Sequence, residues 1–199
     1  QRQLTAVTVT MSDWANFSDY PSMSASGWNH PLTLNLYNVG VGGTVGALIH
    51  SQTVNASIPW HDILGATPLT GTAFNVVFSL PNVIVPDGVI FGLAYNTQHY
   101  GASPIGTPGP YNSLNFGLSA LLPSVGTDFN TNSVFWNTSF AGFLTPGGPG
   151  VAGTFSEDTD WSPYRPAIRF DADPVPEPAT IATVLSMLML SALVAFERR

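Results

Sequence analysis

Residues able to carry out acid–base or metal chemistry are few and scattered in this chain. Four histidines occur, at positions 30, 50, 61 and 99, and none stands in an HExxH or comparable metal-binding spacing. Aspartates are also spread singly, so no two carboxylates can be assigned to the two sides of a glycosidase cleft. The sequence contains no GxSxG nucleophile motif. These patterns disfavour an enzyme.

The densest acidic segment is Glu157-Asp158-Thr159-Asp160. Its three carboxylates are the hard oxygen ligands that Ca²⁺ prefers. The segment lacks the glycine of an EF-hand loop and does not recur, so a solvated acidic loop is the simpler interpretation. We therefore keep Glu157, Asp158 and Asp160 as a candidate calcium site and expect no other cofactor.

Aromatic residues in polar, loop-like contexts point to a binding chemistry, the stacking of sugar rings on aromatic faces. These residues are Trp14, Tyr20, Trp28, Tyr100, Tyr111 and Trp161. Most aromatic residues in a β-domain anchor the core or a loop, so the signal is weak by itself. The segment NTQHYG, 96–101, follows a predicted strand and is the first place to test. The candidate glycan-binding residues are His99, Tyr100, Tyr111 and Trp161.

The composition indicates a packed domain with an uncharged polar surface. Hydrophobic residues make up 44% and aromatic residues 12% of the chain, enough for a core. Only 9% of residues are charged, against about 25% in ordinary soluble domains. The net charge is −7 and the five cations are all arginine without a cluster, which disfavours nucleic-acid binding. The absence of cysteine excludes disulfides and thiolate metal sites.

The pattern of apolar residues through about residue 170 predicts β-structure. The clearest example is 32–37, where three leucines alternate with Thr, Asn and Tyr. Glycine-rich and proline-rich turns separate this segment from the other predicted strands, which are 4–11, 46–54, 73–80, 88–97, 113–118, 132–138 and 166–171. We predict an all-β fold, an antiparallel β-sandwich of jelly-roll-like type, followed by a single C-terminal transmembrane helix.

The last predicted strand has two distinct faces. Ile168 and Phe170 share one face, whereas Ala167, Arg169 and Asp171 share the other. Arg165 and Arg169 are expected to form structural ion pairs with nearby carboxylates.

The C-terminal segment has the length and apolarity of a membrane span. Residues 179–196 carry no charge, and a helix of 18 residues is about 27 Å long, close to the ~30 Å of the bilayer interior. Its apolar side chains fall on every side of such a helix. Arg198 and Arg199 follow it and favour the cytoplasmic side. We predict an extracytoplasmic domain at 1–172, an acidic, proline-containing linker at 173–180, and a transmembrane helix with a basic end at 181–199.

The last 25 residues resemble the bacterial PEP-CTERM sorting signal, because VPEPAT, 175–180, is followed by the apolar run and the terminal arginine pair. The resemblance implies export, transient anchoring in the inner membrane of a Gram-negative bacterium, and processing by an exosortase. Pro176, Glu177 and Pro178 correspond to its motif, and Arg198 and Arg199 to its stop signal. The sequence departs from the fuller signal because Glu197 accompanies a minimal basic end, and because no signal peptide is seen, which we attribute to truncation.

These features together predict a non-enzymatic protein of the cell surface or extracellular matrix, in the biofilm or exopolysaccharide setting that the resemblance implies. The alternative is a lectin-like carbohydrate-binding module whose ligand is the exopolysaccharide itself. An extracellular hydrolase is the least favoured. The expected partners are the exosortase, the inner membrane and exopolysaccharide, and not nucleic acid.

Overall fold

A computed structural model describes residues 2–61, 71–101, 106, 108–128, 134–140 and 152–175 of the 199-residue chain. These residues form eleven strands and three short 3₁₀ turns, which confirms the all-β prediction. The strands are β1 (Arg2–Asp13), β2 (Trp28–Val39), β3 (Val45–Ile58), β4 (Thr72–Val85), β5 (Val89–Ala94), β6 (Leu114–Phe116), β7 (Leu118–Ser119), β8 (Val134–Trp136), β9 (Ser156–Asp158), β10 (Arg165–Pro166) and β11 (Ile168–Pro174). The 3₁₀ turns are Phe17–Asp19, Val41–Gly43 and Pro110–Ser113.

All eight predicted strands overlap an observed strand, and β9 includes Glu157 and Asp158, which we had interpreted as part of a solvated acidic loop. No helix in the described ranges is long and apolar enough to cross a membrane. The predicted transmembrane segment, 181–199, and the motif at 176–178 lie outside those ranges.

Two antiparallel sheets enclose one hydrophobic core. The first has the order β11-β1-β4, with β6 also paired to β1, and the second has the order β3-β2-β5. Alternate residues of each central strand point inward, as the period of a strand requires. The fully buried core side chains from these strands are Val7, Val9, Met11, Leu32, Leu34, Leu36, Ile58 and Phe78.

Two bulges keep apolar residues inside where the alternation breaks. Leu4 and Val7 are both buried although strict alternation would place them on opposite faces of β1. The register of β1 shifts between Leu4 and Ala6 against both neighbouring strands, which brings Leu4 to the inner face. At the same level of β4, Pro81 and Asn82 separate the inward residues on either side, and Asn82 has a φ of 57°. Proline has no N–H to lose from the ladder, so it fits an irregular position of this kind.

Three backbone hydrogen bonds form a ring at Thr10 of β1, at the point where the strand paired with this edge of β1 changes from β6 to β11. Thr10 N–H donates to Ala167 O (2.9 Å), Ala167 N–H to Gly117 O (2.8 Å), and Gly117 N–H to Thr10 O (2.9 Å). On one side of this ring β6 pairs with β1, and on the other side β11 does. The neighbouring short strands, β7 after β6 and β10 before β11, pair with each other and not with β1.

The registers define two ends of the domain. At the Asp13 end, Asp13 lies opposite Thr72 and Leu114, and Trp28 lies opposite Ile58. At the other end, which we call the Arg2 end, Arg2 lies opposite both Val85 and Pro174, so the described chain begins and ends there. The two sheets close along one side through the rings of Phe91 and Phe170, whose centroids are 5.9 Å apart.

We expect Gly117→Ala to destabilise the fold by about 1–3 kcal/mol, as overpacking typically does. A Cβ at this position would lie 2.8 Å from Thr10 Cγ2 and 2.9 Å from Thr10 O, inside the hydrogen-bonded ring. Gly92→Ala is the matched control, because its Cβ would meet only Tyr37 Cε2, at an ordinary 3.5 Å. Urea unfolding measures both, and equal midpoints for the two variants would contradict the role given to the ring.

Candidate functional site

The Asp13 end contains a buried aromatic cluster. The ring of Trp28 lies 5.5 Å from that of Tyr111, 5.8 Å from that of His30 and 6.4 Å from that of Trp60. Tyr20 stacks on Trp60 at 5.9 Å. Because Trp28 is only 3% exposed and opens β2, the expectation that it occupies a loop-like context was wrong.

The polar tips of these aromatic residues hold the loops that surround the cluster. Trp60 Nε1 donates to Ser24 O at 2.9 Å, and Tyr20 Oη donates to Gly109 O at 3.3 Å. Tyr95, which follows β5, reaches the start of β6 in the same way, at 3.1 Å. These groups of Trp60, Tyr20 and Tyr95 therefore bind the protein's own backbone and position the loops.

Asp13 is a buried carboxyl group at the edge of this cluster. The indole Nε1 of Trp28 donates to its Oδ2 at 3.4 Å, whereas Oδ1 has no partner in the described part of the chain. Burial raises the pKa of Asp13 from 3.8 to about 6, and the nearby Ala15 amide, Trp28 indole and Trp14 amide partly oppose this shift. The group therefore takes up its proton near pH 6 in the folded protein.

The two histidines near this end are engaged by protein groups. His30 Nε2 contacts Asn96 O at 2.5 Å, and burial lowers the pKa of His30 although this hydrogen bond opposes the shift. His61 Nδ1 lies 3.4 Å from the hydroxyl of Thr72, and Trp14 stacks on the His61 ring at 5.8 Å. These contacts give both histidines a structural role at the Asp13 end.

An exposed surface lies beyond the cluster, where the chain leaves β5. The hydroxyl of Thr97 accepts the amides of His99 (3.3 Å) and Tyr100 (2.8 Å), which folds the segment after β5 into a tight turn. Thr138 and Ser139 fix the next residue, because Gly101 N–H donates to Thr138 Oγ1 (3.2 Å) and its carbonyl accepts Ser139 N–H (3.1 Å). The segment after β8 is thereby held against this turn.

We call the resulting patch the Tyr100 surface and define it by His99, Tyr100, Asn112, Ser139 and Phe140. The rings of Tyr100 and Phe140 are 5.5 Å apart, and Phe140 is 49% exposed. Asn112 Nδ2 contacts His99 Nδ1 beside them. The patch contains no Asp, Glu, Lys or Arg and combines ring faces with amide and hydroxyl groups. This combination suits a neutral sugar, which stacks on rings and hydrogen-bonds through hydroxyls.

The structure separates the four residues that we predicted to bind glycan. His99 and Tyr100 belong to the Tyr100 surface. Tyr111 is half-buried in the aromatic cluster, where it stacks on His30 at 4.8 Å. Trp161 packs against Trp136 at 6.3 Å.

Sequence reasoning missed three members of this surface: Asn112, Ser139 and Phe140. Phe140 follows polar residues at 137–139, which is the signal that selected the other aromatic residues. Asn112 lies at the end of a long loop, and nothing in the sequence ties it to His99.

Of the candidate calcium residues, Glu157 and Asp158 lie in β9, which pairs with β8 in a two-stranded sheet, and Asp160 follows that strand. Asp158 accepts a hydrogen bond from Trp136 Nε1 at 2.8 Å, and the adjacent Glu157 points to the opposite face of the strand. Asp160 is exposed and has a φ of 71°. Among the described residues no three His, Asp or Glu side chains converge as a metal site, so calcium binding by this segment stays a prediction.

A shallow cavity of about 430 Å³ lies between the edge strands β3 and β4. It is lined by His50, Ser51, Gln52, Ser79, Leu80 and Pro81. This lining has no Asp, Glu, Lys or Arg, so it offers no carboxylate ligand to a cation and no fixed cation to an acidic group.

Comparisons with protein-family models, with curated proteins and with solved structures find no match to this chain.

We expect the stability advantage of Asp13→Asn over the wild type to appear as the pH rises from 4 to 7. The pKa of Asp13 is raised on folding, so its protonated form stabilises the fold, and this contribution is lost as the pH passes through about 6. The loss is at most about 3 kcal/mol, whereas asparagine stays neutral and can still accept from Trp28.

Urea unfolding of both proteins at pH 4 and pH 7 measures the effect, and the difference between them isolates Asp13 from the other carboxylates. A constant difference at both pH values would contradict the buried, proton-binding role of Asp13.

Proposed function

We propose that this protein is an exported, non-enzymatic protein of the cell surface or extracellular matrix of a Gram-negative bacterium, sorted through its C-terminal segment. The observation that carries the proposal is the order of three sequence features, the motif at 176–178, the uncharged run at 179–196 and the pair Arg198–Arg199. The proposal includes processing by an exosortase. We also propose that the all-β domain is a jelly-roll-like sandwich and that a transmembrane helix follows it.

The position of the chain exit supports this proposal. The last described strand runs toward the Arg2 end and finishes at Pro174, opposite Arg2. The Tyr100 surface follows β5 at the Asp13 end, and β1 alone spans 12 residues, or about 40 Å, between the two ends. A domain held by its C-terminal segment would therefore present the Tyr100 surface away from the membrane.

Replacement of Pro176, Glu177 and Pro178 by alanine in the native host is expected to leave the protein full-length in the inner membrane. The change removes the motif on which processing is proposed to act and keeps the apolar run and arginine pair. Immunoblots of fractionated cells measure size and location, and Thr180→Ala, in the same linker but outside the motif, is the control. Unchanged processing and release of the triple variant would contradict the sorting proposal.

Carbohydrate binding is the second candidate function, and the Tyr100 surface is the observation that favours it. The half-buried ring of Tyr100 lies beside the exposed side chains of His99, Asn112, Ser139 and Phe140, and none of the five is charged. The net charge of −7 opposes binding of an acidic polymer, so a neutral exopolysaccharide is the favoured ligand.

We expect Tyr100→Ala and Phe140→Ala each to weaken binding of neutral exopolysaccharide by about fivefold, because an aromatic stacking contact contributes roughly 1 kcal/mol. Full-length protein in detergent is titrated with polysaccharide from the host. Tyr164→Ala is the matched control, since Tyr164 is 52% exposed and lies outside the surface. Equal affinity of all three variants would contradict the assignment.

A further inference from the structure

The Arg2 end gathers three chain connections around the point where the chain leaves the sheets. Arg2 lies opposite Pro174, the last residue of β11, and opposite Val85, the last residue of β4. A short turn then leads to β5, whose first residue, Val89, lies opposite Asn38 of β2. The hairpin that joins β2 to β3 therefore projects from the same end as the chain exit.

This hairpin holds an apolar side chain out in solvent. Val41 is 96% exposed, and no charged residue occurs between positions 38 and 49. The turn is closed by hydrogen bonds from Gly40 N–H to Thr44 O (2.7 Å) and from Thr44 Oγ1 to Val41 O (2.9 Å). Gly42 and Gly43 have φ values of 70° and 84°, which glycine adopts without strain. Val41 is thus presented by a defined turn.

Two more exposed apolar residues lie near this end. Leu48, three residues into β3, is 55% exposed, and Ile84, next to the last residue of β4, is 45% exposed. An apolar tip with further apolar side chains behind it fits the interfacial layer of a bilayer, where binding scales with the apolar area buried.

We propose that the Arg2 end rests on the membrane surface with Val41 inserted into the interfacial layer. This inference rests on the proposed function, because it requires the C-terminal segment to anchor the chain in that membrane. Six residues, 175–180, separate β11 from the apolar run at 181–196 and span at most about 22 Å. Such a short tether keeps the Arg2 end close to the bilayer, so a weak contact is occupied through high effective concentration.

The charges near this end identify the kind of lipid. Two acidic residues, Asp87 and Asp173, lie near the Arg2 end, and Glu177 follows in the linker. Arg2 is the one cation among these four positions. An anionic bilayer would repel this set of charges, so the contact belongs to a zwitterionic surface.

The absence of native cysteine allows a direct test. Full-length Val41→Cys, labelled with an environment-sensitive fluorophore, is reconstituted into phosphatidylcholine vesicles. We expect a blue-shifted emission that is quenched by lipid-borne quenchers and protected from aqueous iodide. Asn137→Cys, exposed and near the Asp13 end, is the matched control and is expected to keep an aqueous emission. Addition of anionic lipid is expected to reduce the shift at position 41.

Flotation of the same samples distinguishes the two levels of inference. Vesicles that float with the protein while position 41 keeps an aqueous emission would overturn the contact and leave anchoring intact. Failure of the protein to float with the vesicles would overturn both. A shift seen only in native membranes, and absent in pure lipid, would replace the bilayer with a membrane protein as the occupant and also overturn the proposal.

Discussion

The architecture depends on the two edges of β1. Because β4 pairs along one edge, only the other edge remains for further strands. Two segments compete for that edge, and the ring formed by Thr10, Gly117 and Ala167 divides it between them. The ring allows β6 to end at the level of Phe116 and β11 to begin at Ile168. A Cβ at position 117 would lie 2.8 Å from Thr10 Cγ2 and 2.9 Å from Thr10 O, so a side chain has no room at this member of the ring.

This division of the edge determines where the functional regions lie. Because β11 pairs with Arg2–Val9 of β1, the described chain finishes beside its own start at Arg2. Because β6 pairs with Met11–Asp13, the segment before β6, with Tyr111 and Asn112, lies over the Asp13 end. The recognition candidates and the chain exit therefore occupy opposite ends. Asp13 and Trp28 join the two sheets at the Asp13 end through a buried contact, which makes that end sensitive to protonation.

Local sequence patterns predicted the strands because a two-residue period is a local property. The three inward leucines at 32–36 are buried as expected, and Arg165 and Arg169 form the expected ion pairs, with Asp128 and Asp171. The parity change at Leu4 has no such local signal, because the bulge that corrects it involves pairing with residues near 80 and 172. The Tyr100 surface was half predicted for the same reason: His99 and Tyr100 are neighbours in sequence, whereas Phe140 reaches them through the contact between Gly101 and Thr138. Trp28 was expected in a loop because its sequence neighbours are polar. It is the first residue of β2, where polar neighbours do not determine whether a side chain is buried.

The antiparallel pairing of β11 with β1 also has a mechanical consequence. A load applied at Pro174 and resisted at the Asp13 end would pull β11 along its own axis. Its ladder bonds to β1 run perpendicular to that axis, so they would bear the load together, in shear. The same load resisted at Arg2 would open the ladder one pair at a time, from Arg2–Pro174 upward. The domain is therefore built to resist a pull between its two ends far better than a pull that separates Arg2 from Pro174.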